Sequence, residues 1–217
     1  TLAASGVELS LFKLGDSTAT TTVLGGSINE SIAQTARYVM RVRVPAVDGL
    51  QMSFHGGGDE VNLGDPANLR ITGSQTIEMW IRPDNFGLRQ NPVAKAYGGE
   101  GTMTQETNGT INYYYGTTGG NFQTFNSGIP MRAGEWQHIA LVRDLDSPTK
   151  TLTWYVNGRQ TAQANAQFFP AVASSLDFLI GNGYTTSYQG EMDEVRIWNV
   201  ARTQQEIIDN LDNTLGG

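Results

Sequence analysis

Thr151-Leu152-Thr153-Trp154-Tyr155-Val156-Asn157-Gly158-Arg159-Gln160-Thr161-Ala162 is the stretch whose reading decides the fold. A two-residue type I′ turn needs positive φ at both central positions, and Asn-Gly tolerates it. The run therefore predicts a hairpin in which Trp154-Tyr155-Val156 pairs with Gln160 to Ala162. Period-two alternation continues outward in both directions. In Tyr38 to Val44, the residues Tyr38, Met40, Val42 and Val44 share one face and Arg41 and Arg43 the other, the pattern of a half-buried strand. After Pro45-Ala46-Val47-Asp48-Gly49, a second run sets Leu50, Met52 and Phe54 against Gln51 and Ser53, which predicts a hairpin with the first. Further strands are expected over Thr76 to Arg82, Thr110 to Tyr115, His138 to Arg143, Leu176 to Gly181 and Glu191 to Trp198.

Helical signals are few. Thr203-Gln204-Gln205-Glu206 has the form of a capping box, followed by Ile207, Ile208 and Leu211, and predicts a short helix near the end. Ser27-Ile28-Asn29-Glu30 is a weaker case. Many short strands between glycine-rich turns predict an all-β fold: an antiparallel two-sheet jelly-roll sandwich with a short C-terminal helix.

Composition bounds the function. The chain has 217 residues, 26 glycines, 7 prolines, no cysteine and a formal net charge of −7. At this length a fold buries roughly 70% of the surface its unfolded chain exposes, so neither disulfide nor metal is needed to hold it. Glycine without a three-residue period excludes collagen. The acidic balance argues against a nucleic-acid partner, and no run approaches the ~20 apolar residues of a membrane span. Thr1 to Gly6 lacks the basic and apolar regions of an export signal, and a start at Thr1 leads to the expectation of a trimmed or processed piece. Without cysteine there is no thiol catalysis and no thiolate metal site.

From about residue 50 onward, five blocks occur in an order that resembles a known family. They are Met52 to Leu63, Gln75 to Pro83, Gly134 to Asp144, Trp154 to Gly158 and Gly190 to Trp198. Together they resemble the laminin-G-like, concanavalin-A-like jelly roll, in the branch related to pentraxins. The expected division is residues 1–49 as an N-terminal β arm or small β extension and 50–217 as the jelly-roll domain. Trp80, Trp136 and Trp154 are expected to fill the space between two sheets. Trp198, opposite Val195 and Ile197, is expected to cover a sheet edge or the terminal helix.

The same fold class includes retaining β-glucanases, whose catalytic strand carries Glu-x-Asp-x-(x)-Glu on one face. Retaining hydrolysis needs two carboxyl groups ~5 Å apart. Glu191-Met192-Asp193-Glu194 starts that pattern, but the next same-face position is Val195 and the residue after it Arg196, so no catalytic residue is assigned. His55 and His138 have no Ser or Cys nucleophile in a recognisable pattern. The expectation is a protein that is not an enzyme.

The resemblance implies calcium, which takes six to eight oxygens at about 2.3–2.6 Å. Where the family's first strand ends in an acid, this chain has His55, and Gly58 replaces the first of the paired acids. Asp59, Asp193 and Glu194 remain as metal candidates. Asp144-Leu145-Asp146-Ser147 is expected to be a hairpin connection. Ligand candidates come from the unusual segment Tyr97 to Asn126 and the loop Tyr184-Thr185-Thr186-Ser187-Tyr188. They are Tyr97, Glu100, Gln105, Tyr114, Asn121, Tyr184 and Tyr188. Flat aromatic faces suit pyranose C–H groups, while amides and carboxylates pair with hydroxyls. Tyrosine is also common in half-buried sheets, so a purely structural role for these rings is the competing reading.

The leading expectation is a non-catalytic recognition module for glycan, extracellular, on a microbial surface or on a virus particle. The alternatives are a structural, adhesion or virion decoration protein that contacts a surface protein, and a degenerate glycoside hydrolase. Exposed strand edges in residues 1–49 would add to the sandwich edge, form a separate β element or swap between subunits, making a homo-oligomer an expectation.

Overall fold

The computed structural model describes residues 8–13, 21–24, 38–43 and 51–211, the first three segments as backbone strands. The weak helical signal at Ser27 to Glu30 lies outside the described residues. The strands are β1 (Glu8–Lys13), β2 (Thr21–Leu24), β3 (Tyr38–Arg43), β4 (Met52–His55), β5 (Val61–Asn62), β6 (Gln75–Pro83), β7 (Gln90–Ala96) and β8 (Gly101–Gln105). There follow β9 (Ile111–Thr118), β10 (Asn121–Asn126), β11 (Gln137–Asp144), β12 (Thr151–Val156), β13 (Arg159–Asn165), β14 (Leu179–Ile180), β15 (Thr186–Ser187) and β16 (Gln189–Trp198), then the helix α1 (Gln204–Asp209). A nine-stranded sheet runs β13-β12-β11-β6-β16-β3-β1-β2, with β4 also on β16. A seven-stranded sheet runs β10-β9-β8-β7-β14-β5, with β15 on β7. This is the sandwich that the alternation predicts.

The hairpin forms as the sequence dictates. Asn157 and Gly158 have φ of 49° and 73°. Val156 pairs with Arg159, Tyr155 with Gln160, and Trp154, after a register shift, with Ala162. The pairing expected between Tyr38–Val44 and Leu50–Phe54 does not form. Both strands pair instead with β16, Val42 opposite Val195 and Met52 opposite Met192. Each is antiparallel to β16, so β3 and β4 run in the same direction along one edge, and a turn-rich interval interrupts a strand line where alternation alone suggested a reversal. The described strands of the first 49 residues extend the nine-stranded sheet from β16, in the order β3, β1, β2. The strand expected over Leu176 to Gly181 shrinks to Leu179–Ile180.

The core lies between the sheets. Ile77, Met79, Ile81, Ile139, Leu141, Leu152, Trp154, Met192, Val195 and Ile197 face Val93, Met103, Tyr113, Tyr115, Phe125 and Ile180. Arg143 is also fully buried there. Its guanidinium donates to the carbonyls of Gly73 (2.8 Å), Glu100 (2.7 Å) and Ile71 (2.7 Å) and to the Tyr113 hydroxyl (2.8 Å), and it lies over the Tyr115 ring. A buried charge is tolerable only when its donors are matched in this way.

Met192 and Val195 both face the core although they are three apart. A bulge between Asp193 and Arg196, with Glu194 at φ 48°, absorbs the extra residue. Pleat parity through Asp193 to Val195, as read from the sequence, is therefore broken. The outward face continues Glu191, Asp193, Arg196 and Trp198.

One outer face is covered and the other is open. Across the nine-stranded sheet, Ile207 of α1 packs on Ala140, Val142 and Tyr155. The capping box forms at Thr203 and Glu206. Arg202 donates to Glu78 at 2.6 Å and lies over Trp198, whose indole also donates to Glu78. Trp80 is on this face as well, edge-on to His138. Of the tryptophans expected between the sheets, Trp154 alone is there; Trp136 is 39% exposed. The outer face of the seven-stranded sheet bears no helix among the described residues.

Candidate functional site: an aromatic face on the seven-stranded sheet

Alternation in β9 sends Tyr113 and Tyr115 inward and Tyr114 outward. Tyr114 meets Tyr97, which follows β7, with ring centroids 4.5 Å apart at 67°. Tyr97 also meets Tyr184 at 4.8 Å and 63°, and Phe122 at 5.9 Å. Phe122 closes the group against Tyr114 at 5.6 Å. Edge-to-face geometry of this kind stabilises the group beyond its buried area. Tyr184 is 51% exposed and Phe122 38%, so a clustered aromatic surface stands in solvent.

Hydrogen bonds hold the rings. Tyr184 donates to the Lys95 carbonyl at 2.8 Å, and the Tyr97 hydroxyl lies 3.1 Å from Thr104 Oγ1. Tyr114 donates to Glu106 (3.2 Å) and accepts from Arg89 (3.1 Å) and Asn112 (3.3 Å). Arg89 grips both Glu106 oxygens, at 2.8 and 3.0 Å. Burial alone would raise the Glu106 carboxyl, but the Arg89 and Asn112 hydrogen bonds outweigh it and hold the group below its ordinary range. Burial, with Glu106 beside it, raises the Tyr114 hydroxyl.

Two clefts of about 440 Å³ flank Tyr184 and share it and Leu176 as their dividing wall. One is apolar and includes Tyr97, Gly98, Gly119 and Phe122. The other has charged and polar side chains in its lining, Glu60, Asn62, Lys95 and Asp177. Gly98 makes the first possible, since a Cβ there would stand 1.3 Å from the Thr118 carbonyl oxygen. Gly183 does the same for the Tyr184 loop, where a Cβ would meet that of Ala94 at 2.5 Å.

The sequence candidates divide. Tyr97, Tyr114 and Tyr184 come together. Asn121 lies at the start of β10 beside Phe122, but its amide donates to Thr117 across the turn at 2.7 Å. Glu100 is buried rather than displayed: it accepts from the Ser174 amide and hydroxyl, both at 2.9 Å, and so fixes the loop that lines the apolar cleft. Gln105 is buried and donates to the Asn85 carbonyl at 2.9 Å. Tyr188 is a core residue packed edge-on against Phe54, which corrects its placement on the rim. Its parity in the loop leading to β16 turns it inward. Phe122, Arg89 and Glu106 complete the face and were not among the candidates. Phe122 had a readable signal: it shares parity with Thr124 and Asn126, the exposed residues of β10.

The metal candidates do not converge. Asp59 accepts from the His55 amide at 2.8 Å. Gln189 is the β16 residue opposite His55, so Asp193 is four residues further along, about 13 Å at strand rise. Glu194 pairs with Arg196 at 3.0 Å. Among the described residues no group of three or more His, Asp or Glu side chains is placed to hold a metal ion. Asp144 accepts from the amides of Asp146 and Ser147, as a hairpin connection requires. The glucanase pattern also fails. Arg82 donates to Glu191 at 2.6 Å and holds its carboxyl below the ordinary range, and Arg196 stands where the bulged strand would need its third acid.

Comparisons agree with the fold. Residues 55–208 match the model of the concanavalin A-like lectin/glucanases superfamily. A candidate carbohydrate-binding protein of Bacteroides ovatus superposes with a TM-score of 0.61 and 22% identity, over 82% of this chain and 56% of that one. The CBM40 of the Ruminococcus gnavus IT-sialidase, bound to α2,3-sialyllactose, gives 0.61 and 15% identity, over 73% and 94%. Human pappalysin-1 is 22% identical over 192 residues, 77% of this chain and 11% of that protein. The chain thus spans about a tenth of that relative and little more than half of the Bacteroides protein. No described helix is long and apolar enough to cross a membrane. With a match over most of its length, the chain belongs to the concanavalin A-like lectin/glucanase superfamily, in its laminin-G-like branch.

Proposed function

We propose that the chain is a non-catalytic glycan-binding module acting outside a microbial cell or on a virus particle, and that its site is the Tyr97–Tyr114–Phe122–Tyr184 face. The observation that carries this reading is the half-exposed Tyr184 ring, standing between two clefts and held by Tyr97 and by the Lys95 carbonyl. Such a ring offers an apolar face to a pyranose, and the clefts on either side take the neighbouring sugar units. Carbohydrate-binding modules among the structural relatives support the reading. The two cations bordering the face are committed, Arg89 to Glu106 and Lys95 to Asp65 at 2.7 Å. The ligand is therefore a neutral saccharide. Glycan-array binding followed by calorimetry tests this: neutral oligosaccharides should bind, and Tyr184→Ala should abolish the signal while the fold persists. Failure to bind any glycan at high protein concentration would favour the structural or decoration role.

A further inference from the structure

A third cleft lies on the flank of the sandwich, away from the aromatic face and sharing no residue with it. It measures about 750 Å³ and lies between the segment joining β10 to β11 and the β12–β13 hairpin. Its lining includes Trp136, Arg132, Glu135, Arg159, Gln160 and Asn157. We propose that this cleft is a second saccharide site, selective for sugars that carry a carboxylate.

The cleft combines an apolar ring with cationic donors. Trp136 is 39% exposed, although the alternation around it pointed to the core, and its ring lines the cleft. Arg159 directly follows the type I′ turn, opposite Val156, and its guanidinium has no hydrogen-bond partner among the described residues. Arg132 pairs with Glu135 at 3.1 Å, but both side chains are largely in water (75% and 58%), where such a pair contributes little and can be recruited by a ligand. The local sum is two guanidinium charges against one carboxylate, a positive cleft on a chain of net charge −7. A guanidinium fork matches a carboxylate in two parallel hydrogen bonds, and a neighbouring indole covers the sugar's C–H face.

The walls are built in advance. Gln137 accepts from the Arg132 amide and donates to the carbonyls of Arg132 and Glu135 (3.2 and 3.4 Å), bracing the Trp136 turn. Ser127 donates to the Ile129 carbonyl at 2.9 Å, and Thr161 donates to that of Ser127 at 2.7 Å, tying this segment to β13. Below the hairpin, Gln204 of α1 donates to the Gly158 carbonyl at 2.8 Å, which fixes the turn that presents Arg159. With the backbone walls fixed, the ordering cost of binding falls on the Arg132 and Arg159 side chains.

The test titrates the intact chain with three acidic probes, trigalacturonate, a glucuronate oligosaccharide and sialyllactose, and with the methyl ester of trigalacturonate. The readouts are tryptophan fluorescence and the Trp136 indole N–H resonance. At least one acid should bind and shift that resonance, the neutral ester or lactose should bind about tenfold or more weakly, and Trp136→Ala and Arg159→Gln should each cost about tenfold. Tyr184→Ala should leave this binding intact, so failure here and failure of the aromatic face are distinguishable. Trp136→Phe, with unchanged thermal unfolding, should retain part of the affinity and guards against a misfolded alanine variant. Equal binding of acid and ester, binding indifferent to Trp136 and Arg159, or no binding by any acid at about 10 mM would overturn the proposal.

Discussion

Tyr97 and Tyr184 meet edge to face, centroids 4.8 Å apart, from segments on either side of the β8–β10 meander. The first follows β7 and the second precedes β15, which pairs with β7 in parallel. Two distant loops are thus brought over one strand, and the exposed ring is fixed by a contact that local sequence cannot specify.

That contact makes Tyr97 a support for Tyr184 as well as part of the surface. Tyr184→Phe keeps the ring but loses the bond to the Lys95 carbonyl. It should weaken glycan binding severalfold, whereas Tyr184→Ala should remove about 1.4 kcal/mol or more of binding free energy, a tenfold loss, by calorimetry. A wild-type affinity in the alanine variant would place the site elsewhere.

Gly98 has no room for a side chain, because the Thr118 carbonyl occupies the position of a Cβ. Gly98→Ala must displace the β9–β10 turn. We expect a loss of about 2–4 kcal/mol in urea unfolding, together with loss of binding at the apolar cleft. A neutral outcome would show that the turn yields to a methyl group without cost.

His138 is buried beneath Trp80, and burial first, then the Arg196 and Arg202 charges, lower it from 6.5 to about 3. Between those values the unfolded chain binds a proton that the folded chain refuses, so stability falls as pH falls. The slope is on the order of 1.4 kcal/mol per pH unit. Denaturant midpoints from pH 7 to 4 should therefore decline less steeply in His138→Gln than in the wild type. Parallel curves would assign the acid sensitivity to carboxylates instead.

Arg143 is matched by three carbonyls and a tyrosine hydroxyl, a set that an ammonium group cannot reproduce in one plane. Arg143→Lys should destabilise the sandwich by about 3 kcal/mol or more, read from thermal unfolding, because it strands buried acceptors.

The Arg82–Glu191 pair holds the Glu191 carboxyl ionised, which does not suit it to protonate a leaving group. Incubation with laminarin-type β-glucan should release no reducing sugar. Release that disappears in Glu191→Gln would restore a hydrolase.

Local rules were enough for the parts of this protein whose cause is local. The Asn157-Gly158 turn, the Thr203–Glu206 cap and the strands with clean alternation could be read directly, because φ preference, capping and pleat act within a few residues. β7 escaped, since Gln90, Asn91 and Lys95 are buried there by side-chain hydrogen bonds and break the apolar alternation. The bulge at Glu194 likewise turned a parity inference at Val195. Which tyrosines face outward, that Tyr188 and Glu100 are interior, and that Trp136 opens onto a cleft were decided by the tertiary structure. Burial at those positions depends on the sheet or loop lying opposite, and the sequence alone does not show which segments come face to face.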